Sequence, residues 1–351
     1  MEFEERIKTF IFAHTLRNVC LYFYTMKKAL YLLLVAALFV GCNRDKKKDE
    51  PTGPFIFFET RVEESGNLPQ REGEAFGVFG YHSSEESLSN VFTGYDDRIA
   101  QVAWDAEAGA FAYEKLVKWS GGTYSFYAYY PYAYKNQVRL TVVDNVRYKT
   151  LQFVQPCELD EMVDLMTASA ELVAKTPEPV RLQFESKLFA VDVVIANYDE
   201  ENDAVPGLTI VDAEIDFIGV PESMEFDIDG TGSNISPETV DINADLYAGS
   251  EGFELTPGKE YSFTKEMGNS FYLIPDAGIK YSLAIEYIDE EGERDIYTYP
   301  EDGDWASLDD FVKAGGRYTI LIDTSSGTPY PFKATLVADW EDKVDIDNDF
   351  N

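Results

Sequence analysis

Four groups of residues in this 351-residue chain have types and spacings suited to chemistry. The first is Cys42, which follows Gly41 at the end of a segment reading Met26-Lys27-Lys28 and then almost unbroken apolar residues from Ala29 to Val40. A positive flank, an apolar core and a small residue make the order of a secretory signal peptide. A cysteine in that place is the kind of thiol that receives a lipid. The second group is Asp227, Asp229, Thr231, Gly232 and Glu238, spaced as the ligands of a calcium loop, D-x-D-x-T-G-x5-E. The third is His82 with Ser83 and Ser84, an imidazole beside two hydroxyls. The fourth is the aromatic run Tyr124 to Tyr134, YSFYAYYPYAY. Aromatic faces stack on sugar rings, and Tyr129, Tyr130 and Tyr132 are its candidate glycan-stacking residues.

Most of this chemistry weakens when the neighbouring residues are read. A calcium loop of that type needs flanking helices, yet Met224-Glu225-Phe226 before it and Val240-Asp241-Ile242 after it have the pattern of strands. Pro237 precedes the would-be bidentate glutamate, Asn234 stands at a usually apolar position, and 64 acidic residues make chance matches easy. A glycine-rich hairpin turn fits better, and no metal is expected. His82 is the only histidine after the signal, so a two-histidine zinc site is absent, and no G-x-S-x-G occurs. Nothing singles out a carboxylate pair for hydrolysis. The chain is therefore not expected to be an enzyme or to need a cofactor. In the aromatic run, alternation sends Tyr124, Phe126 and Ala128 to one face and Ser125, Tyr127 and Tyr129 to the other. Aromatics on both faces suit a central strand buried on both sides, which favours packing over glycan stacking.

The elements that must position these residues start after the signal. Residues 1–25 carry Glu2, Glu4 and Glu5 ahead of a segment that wants a positive flank, so Met26 reads as the start and 1–25 as a misassigned leader. A longer anchor from Ile11 to Val40 is interrupted by His14, Arg17, Asn18, Lys27 and Lys28, charges and polar groups costly in lipid. Residues 26–41 are then the signal peptide and 42–52 a polar tether. The cysteines are Cys20, Cys42 and Cys157, which leaves one thiol in the folded part and no internal disulfide. The net charge of −35 repels nucleic acid and argues against adsorption on an anionic membrane surface. With 24 Phe, 23 Tyr and 45% hydrophobic residues the chain can still build a large core.

From Gly53 onward the pattern is short apolar or alternating runs bounded by Gly, Asp, Asn or Pro. The fold class is all-β, with about fourteen strands and few short helices. The helical candidates are Glu158 to Leu172 and Trp305 to Gly315. Thr167 to Val180, with Pro177 and Pro179, is the least strand-like stretch, and the domain boundary is placed there. This gives an N-terminal β-sandwich over 53–175 and a C-terminal one over 176–351.

The order of these segments resembles the fimbrillin-like lipoproteins of Bacteroidetes type V pili. The residues that carry the resemblance are the signal, an isolated apolar strand ending in Thr60-Arg61, FGVFGYH (Phe76 to His82) and WSGGTYSFYAYYP (Trp119 to Pro131). VDLMTASA, VRLQFESKLFAVDVVI, FYLIPD, AGGRYTILID and TLVADWED continue the match to Asp342. The resemblance implies transthyretin-like topology in both sandwiches, a lipid on Cys42 and display on the cell outer membrane, with Lys48, Asp49 and Glu50 as a display signal. It also implies assembly by strand exchange. A trypsin-like protease cuts after an arginine, the first strand (Pro54 to Thr60) leaves, and a strand of another fimbrial subunit fills its place. Arg61 is the first choice for the processing site and Arg71 the second. The partners implied are other subunits and a surface receptor, with no nucleic acid. Phe184 to Leu188 lacks the histidine that many relatives carry, and the tail after Trp340 is short and acidic, which favours a tip or accessory position over the stalk. The rival function is a surface glycan-binding lipoprotein of a nutrient-uptake system, built on exposed tyrosines.

Overall fold

The computed structural model describes residues 55–62, 68–85, 87–143, 147–197, 207–227, 233–267, 269–300, 303–308, 312–324 and 332–338. In chain order the first strands are β1 (Phe58–Val62), β2 (Ala75–Ser83), β3 (Leu88–Asn90), β4 (Ala100–Asp105), β5 (Ala110–Ala112) and β6 (Thr123–Tyr130). They are followed by β7 (Val138–Val143), β8 (Arg147–Val154), β9 (Met166–Ala174), β10 (Val180–Ser186), β11 (Phe189–Asn197), β12 (Thr209–Pro221) and β13 (Ser223–Asp227). Next come β14 (Ser233–Ile235), β15 (Thr239–Glu254), β16 (Lys259–Ser262), the short helix α1 (Phe263–Met267) and β17 (Phe271–Leu273). The last are β18 (Lys280–Ile288), β19 (Arg294–Tyr299), β20 (Ala306–Ser307), β21 (Arg317–Thr324) and β22 (Phe332–Ala338). The chain is all-β, as the sequence predicts.

Four sheets result. The largest runs β1-β10-β9-β6-β2-β4-β5, with β3 on β2, and a smaller one runs β14-β13-β8-β7. The other two run β16-β11-β21-β22, with β17 on β11, and β15-β12-β18-β19, with β20 on β18. The second pair encloses one core, in which Val191, Val193, Ile195 and Ile320 meet Ile215, Phe217, Leu283 and Ile285. Period-two alternation explains it: in β18, Tyr281, Leu283, Ile285 and Tyr287 are buried while the residues between them are not.

The largest sheet is buried on both faces around β6. Phe126, Ala128 and Tyr130 join Phe76, Val78, Leu182 and Phe184 on one side. Tyr127 and Tyr129 join Phe79 on the other, against Leu151, Phe153, Met224 and Phe226 of the small sheet. The aromatic run is thus a central strand packed on both sides, in keeping with its alternation. Gly77 and Gly80 make this crowding feasible. A Cβ on Gly77 would lie 2.6 Å from the Tyr129 ring, and one on Gly80 would overlap the Ser125 carbonyl oxygen.

Two expectations, both helical, meet a different outcome. The segment 158–172 is not a helix: it holds a 3-10 turn at Leu159–Glu161 and then β9. Its Met162 and Leu165 are three apart and fully buried, a helical spacing, but they enter two different cores from an extended chain. In the second helical candidate Ala306–Ser307 is strand, and 309–311 lie outside the described residues. Strand pairing also runs across 175/176, because Pro177 and Pro179 lie in the turn joining β9 to β10, and these two strands pair antiparallel within the first sheet. Further on, β13 returns to pair with β8.

Candidate functional site: the cleft that holds the first strand

The first strand sits at the edge of the largest sheet and runs parallel to β10, with Phe58 opposite Val180, Thr60 opposite Leu182 and Val62 opposite Phe184. Its alternation divides the side chains cleanly. Ile56, Phe58 and Thr60 are buried at 0%, 5% and 3% exposure, whereas Phe57 and Arg61 face solvent. Phe58 is surrounded by rings, 5.3 Å from Phe126, 6.1 Å from Tyr113 and 6.4 Å from both Phe76 and Phe92. Burying side chains the size of Ile56 and Phe58 stabilises by roughly 1.5–3 kcal/mol each, as an upper bound.

The backbone of the strand changes partner at Ile56. From Phe57 onward it belongs to β10, beginning with the Val180 N–H donating to the Phe57 carbonyl at 2.8 Å. Ahead of that point it belongs to the segment after β5. Phe55 forms an antiparallel bridge with Lys118, and the Ile56 N–H donates to the Val117 carbonyl at 2.9 Å. The Tyr113 hydroxyl donates to the Ile56 carbonyl at 2.7 Å and accepts from the Val117 N–H at 3.3 Å. Burial pushes the Tyr113 phenol pKa up, so it stays a neutral donor at physiological pH. Lys118 adds a cation over the Phe55 ring at 5.7 Å. The strand is therefore gripped on both edges, and without it an apolar trough would open between β10 and the 113–118 segment.

The predicted site residues fall unequally. Arg61 lies inside the β1–β10 ladder, opposite Gln183, with its side chain 49% exposed beside Glu59. Arg71 lies in the turn before β2, 77% exposed, and pairs with Glu74 at 2.7 Å. Tyr129 and Tyr130 correct the glycan-stacking expectation. Tyr129 is wholly buried, and Tyr130 is 5% exposed with its hydroxyl on Glu74 at 2.7 Å. Neither offers a face to a sugar. Tyr132 is half-buried, its ring stacked 6.4 Å from that of Tyr129. Cys42, the signal and the tether lie outside the described residues. So do residues 228–232 of the acidic motif, whose flanks β13 and β14 pair as an antiparallel hairpin. His82 packs its ring 4.5 Å from that of Tyr124 and bonds the Gly121 carbonyl, a structural role. Among the described residues no cluster of His, Cys, Asp or Glu is arranged to hold a metal ion.

Sequence reasoning located the first strand and its arginines but missed Tyr113, Val117 and Lys118, the other wall of the cleft. No local pattern marks them, since Tyr113 is one tyrosine among 23 and its partner is 57 positions away.

A family model described as fimbrillin-like matches residues 60–340. Among solved structures, a fimbrial protein of Bacteroides vulgatus is similar over 81% of this chain and 99% of its own, at 13% identity and a TM-score of 0.51. A candidate cell adhesion protein of Bacteroides uniformis is matched over 82% of this chain and 98% of its own, at 18% identity and a TM-score of 0.46. Among curated proteins none is significantly similar.

Proposed function

Because the chain belongs to the fimbrillin-like family, we propose that it is a subunit of a cell-surface fimbria, assembled when its first strand is removed and replaced by a strand from another subunit. The single observation that carries this is the way β1 is held. It is an edge strand at the N-terminal end of the fold, parallel to β10, and its Ile56, Phe58 and Thr60 complete a core that the rest of the chain leaves open. A removable edge strand is the substrate that strand addition needs: backbone hydrogen bonds give affinity and alternate side chains fill pockets. Parallel pairing is also slightly less stable per residue than antiparallel, which favours departure.

In this proposal the chain is delivered to the outer membrane by a lipid on Cys42, and a cut after Arg61 or Arg71 releases lipid and strand together. The role is structural or adhesive, without catalytic chemistry, and the partners are other fimbrial subunits and a surface receptor.

The test is to treat the purified chain with trypsin, identify the new N-terminus and run unheated samples on a denaturing gel. The expected outcome is a discrete cut at Arg61 or Arg71 followed by a ladder of oligomers. A cut without oligomers counts against polymerisation, and resistance or global digestion counts against processing.

A further inference from the structure

The two-sided grip on β1 specifies more than an apolar trough. Three inward places differ in what they accept. At the first, Ile56 is fully buried and its N–H and C=O are both used, by Val117 and Tyr113. A proline there has no N–H to give. At the second, the rings of Phe76, Phe92, Tyr113 and Phe126 surround Phe58 on several sides, a space shaped for an aromatic. At the third, Thr60 is 3% exposed opposite Leu182, so a larger side chain would overpack. The outward places are open, with Phe57 exposed and Glu59 meeting the surface cations Arg61 and Arg181.

We propose that this cleft selects its incoming strand by a fixed alternation. The strand needs an aliphatic residue with a free N–H at the Ile56 place, an aromatic at the Phe58 place and a small residue at the Thr60 place, while the residues between them are free to vary. Tyr113 is the positioning residue. Its hydroxyl meets a backbone carbonyl and so sets the register of any strand that enters, whatever its side chains, while its ring helps to line the Phe58 place. The occupant is an extended segment of a neighbouring subunit that carries this pattern. The inference rests on strand replacement as proposed above.

The test uses the purified chain with a site-specific protease sequence in place of residues 63–67, so that cleavage leaves β1 seated but unlinked. Fluorescein-labelled peptides spanning residues 53–62 are added in excess, and exchange is followed by anisotropy. The parent peptide is expected to enter, and Phe57→Ala and Glu59→Ala peptides to match it. Ile56→Pro, Phe58→Ala and Thr60→Phe peptides are expected to bind roughly tenfold or more weakly. A Tyr113→Phe chain is expected to weaken all peptides by the same factor. Equal binding by the inward and outward variants, or by an apolar peptide of unrelated pattern, overturns the selection rule while leaving strand replacement intact. Failure of every peptide, the parent included, overturns strand replacement and the rule with it.

Discussion

The Tyr113 hydroxyl reaches across 57 positions of sequence to donate to the Ile56 carbonyl at 2.7 Å inside the apolar cleft. Tyr113→Phe keeps the ring against Phe58 and Phe92 but removes this donor and the acceptor for the Val117 N–H. A buried carbonyl left unsatisfied costs about 1–3 kcal/mol. The variant is expected to lose stability by that amount in urea unfolding, without a change in the denaturant slope.

Gly80 of β2, set against Gly121 ahead of β6, provides a second check on packing. A Cβ on Gly80 would collide with the backbone of Ser125, which cannot rotate away, and would force β2 and β6 apart. Gly80→Ala is expected to destabilise by about 1–3 kcal/mol or more. Gly121→Ala, where the added methyl meets nothing within 4 Å, is expected to change stability by less than about 0.5 kcal/mol. Thermal melts of the two variants side by side are the check, and equal midpoints would refute the packing argument.

Much of the fold was legible because side-chain period and burial agree. The sequence YSFYAYY places aromatics on both faces of one strand, and only a central strand can bury both. The alternation in Val180, Leu182 and Phe184 likewise marks one buried face. The failures occur where spacing is ambiguous or pairing is remote. Met162 and Leu165 mimic a helix because the extended chain happens to feed two cores three residues apart. The return of Ser223–Asp227 to Arg147–Val154 leaves no local trace, since strand pairing across some seventy residues depends on the whole fold. The cleft was half legible: an apolar strand announces its own inward face, whereas the wall that receives it is assembled from distant segments.

The buried tyrosines predict an alkaline limit. Burial raises the phenol pKa of Tyr113, Tyr129, Tyr134 and Tyr281 above its ordinary value near 10. Tyr130 is raised by burial and by Glu74, and Tyr127 by burial, Glu171 and Tyr81. Above pH 10 the unfolded chain gives up protons that the folded chain retains, so stability falls as pH rises. Below that point these groups are protonated in both states and their contribution is fully present. Urea midpoints should therefore be insensitive to these groups up to about pH 10 and decline beyond it. Absorbance of tyrosinate near 295 nm should show a set of tyrosines that ionises only on unfolding. Ionisation of all tyrosines near pH 10 with the fold intact would refute the burial argument.

The two candidate arginines make opposite demands on a protease. Arg71 lies in a turn with its side chain 77% exposed and paired with Glu74. Arg61 is opposite Gln183 within the β1–β10 ladder, and cleavage beside it requires the end of the strand to lift away first. Exposed loop backbone is the preferred site of nicking, and local opening adds a cost wherever the ladder is intact. Trypsin is therefore expected to cut at Arg71 before Arg61, the reverse of the order the sequence suggests. That first cut does not free the strand at once, because Leu68, 1% exposed in the same core as Phe58, lies on the departing side. Mass spectrometry of a digestion time course should show the Arg71 nick appearing first, with the N-terminal fragment still bound on gel filtration. Arg71→Gln should delay the first cut, whereas Arg61→Gln should leave its rate unchanged. Should Arg61 be cut first in the parent chain, β1 opens far more readily than its buried Ile56 and Phe58 imply, and the cleft is less tightly filled than its geometry indicates.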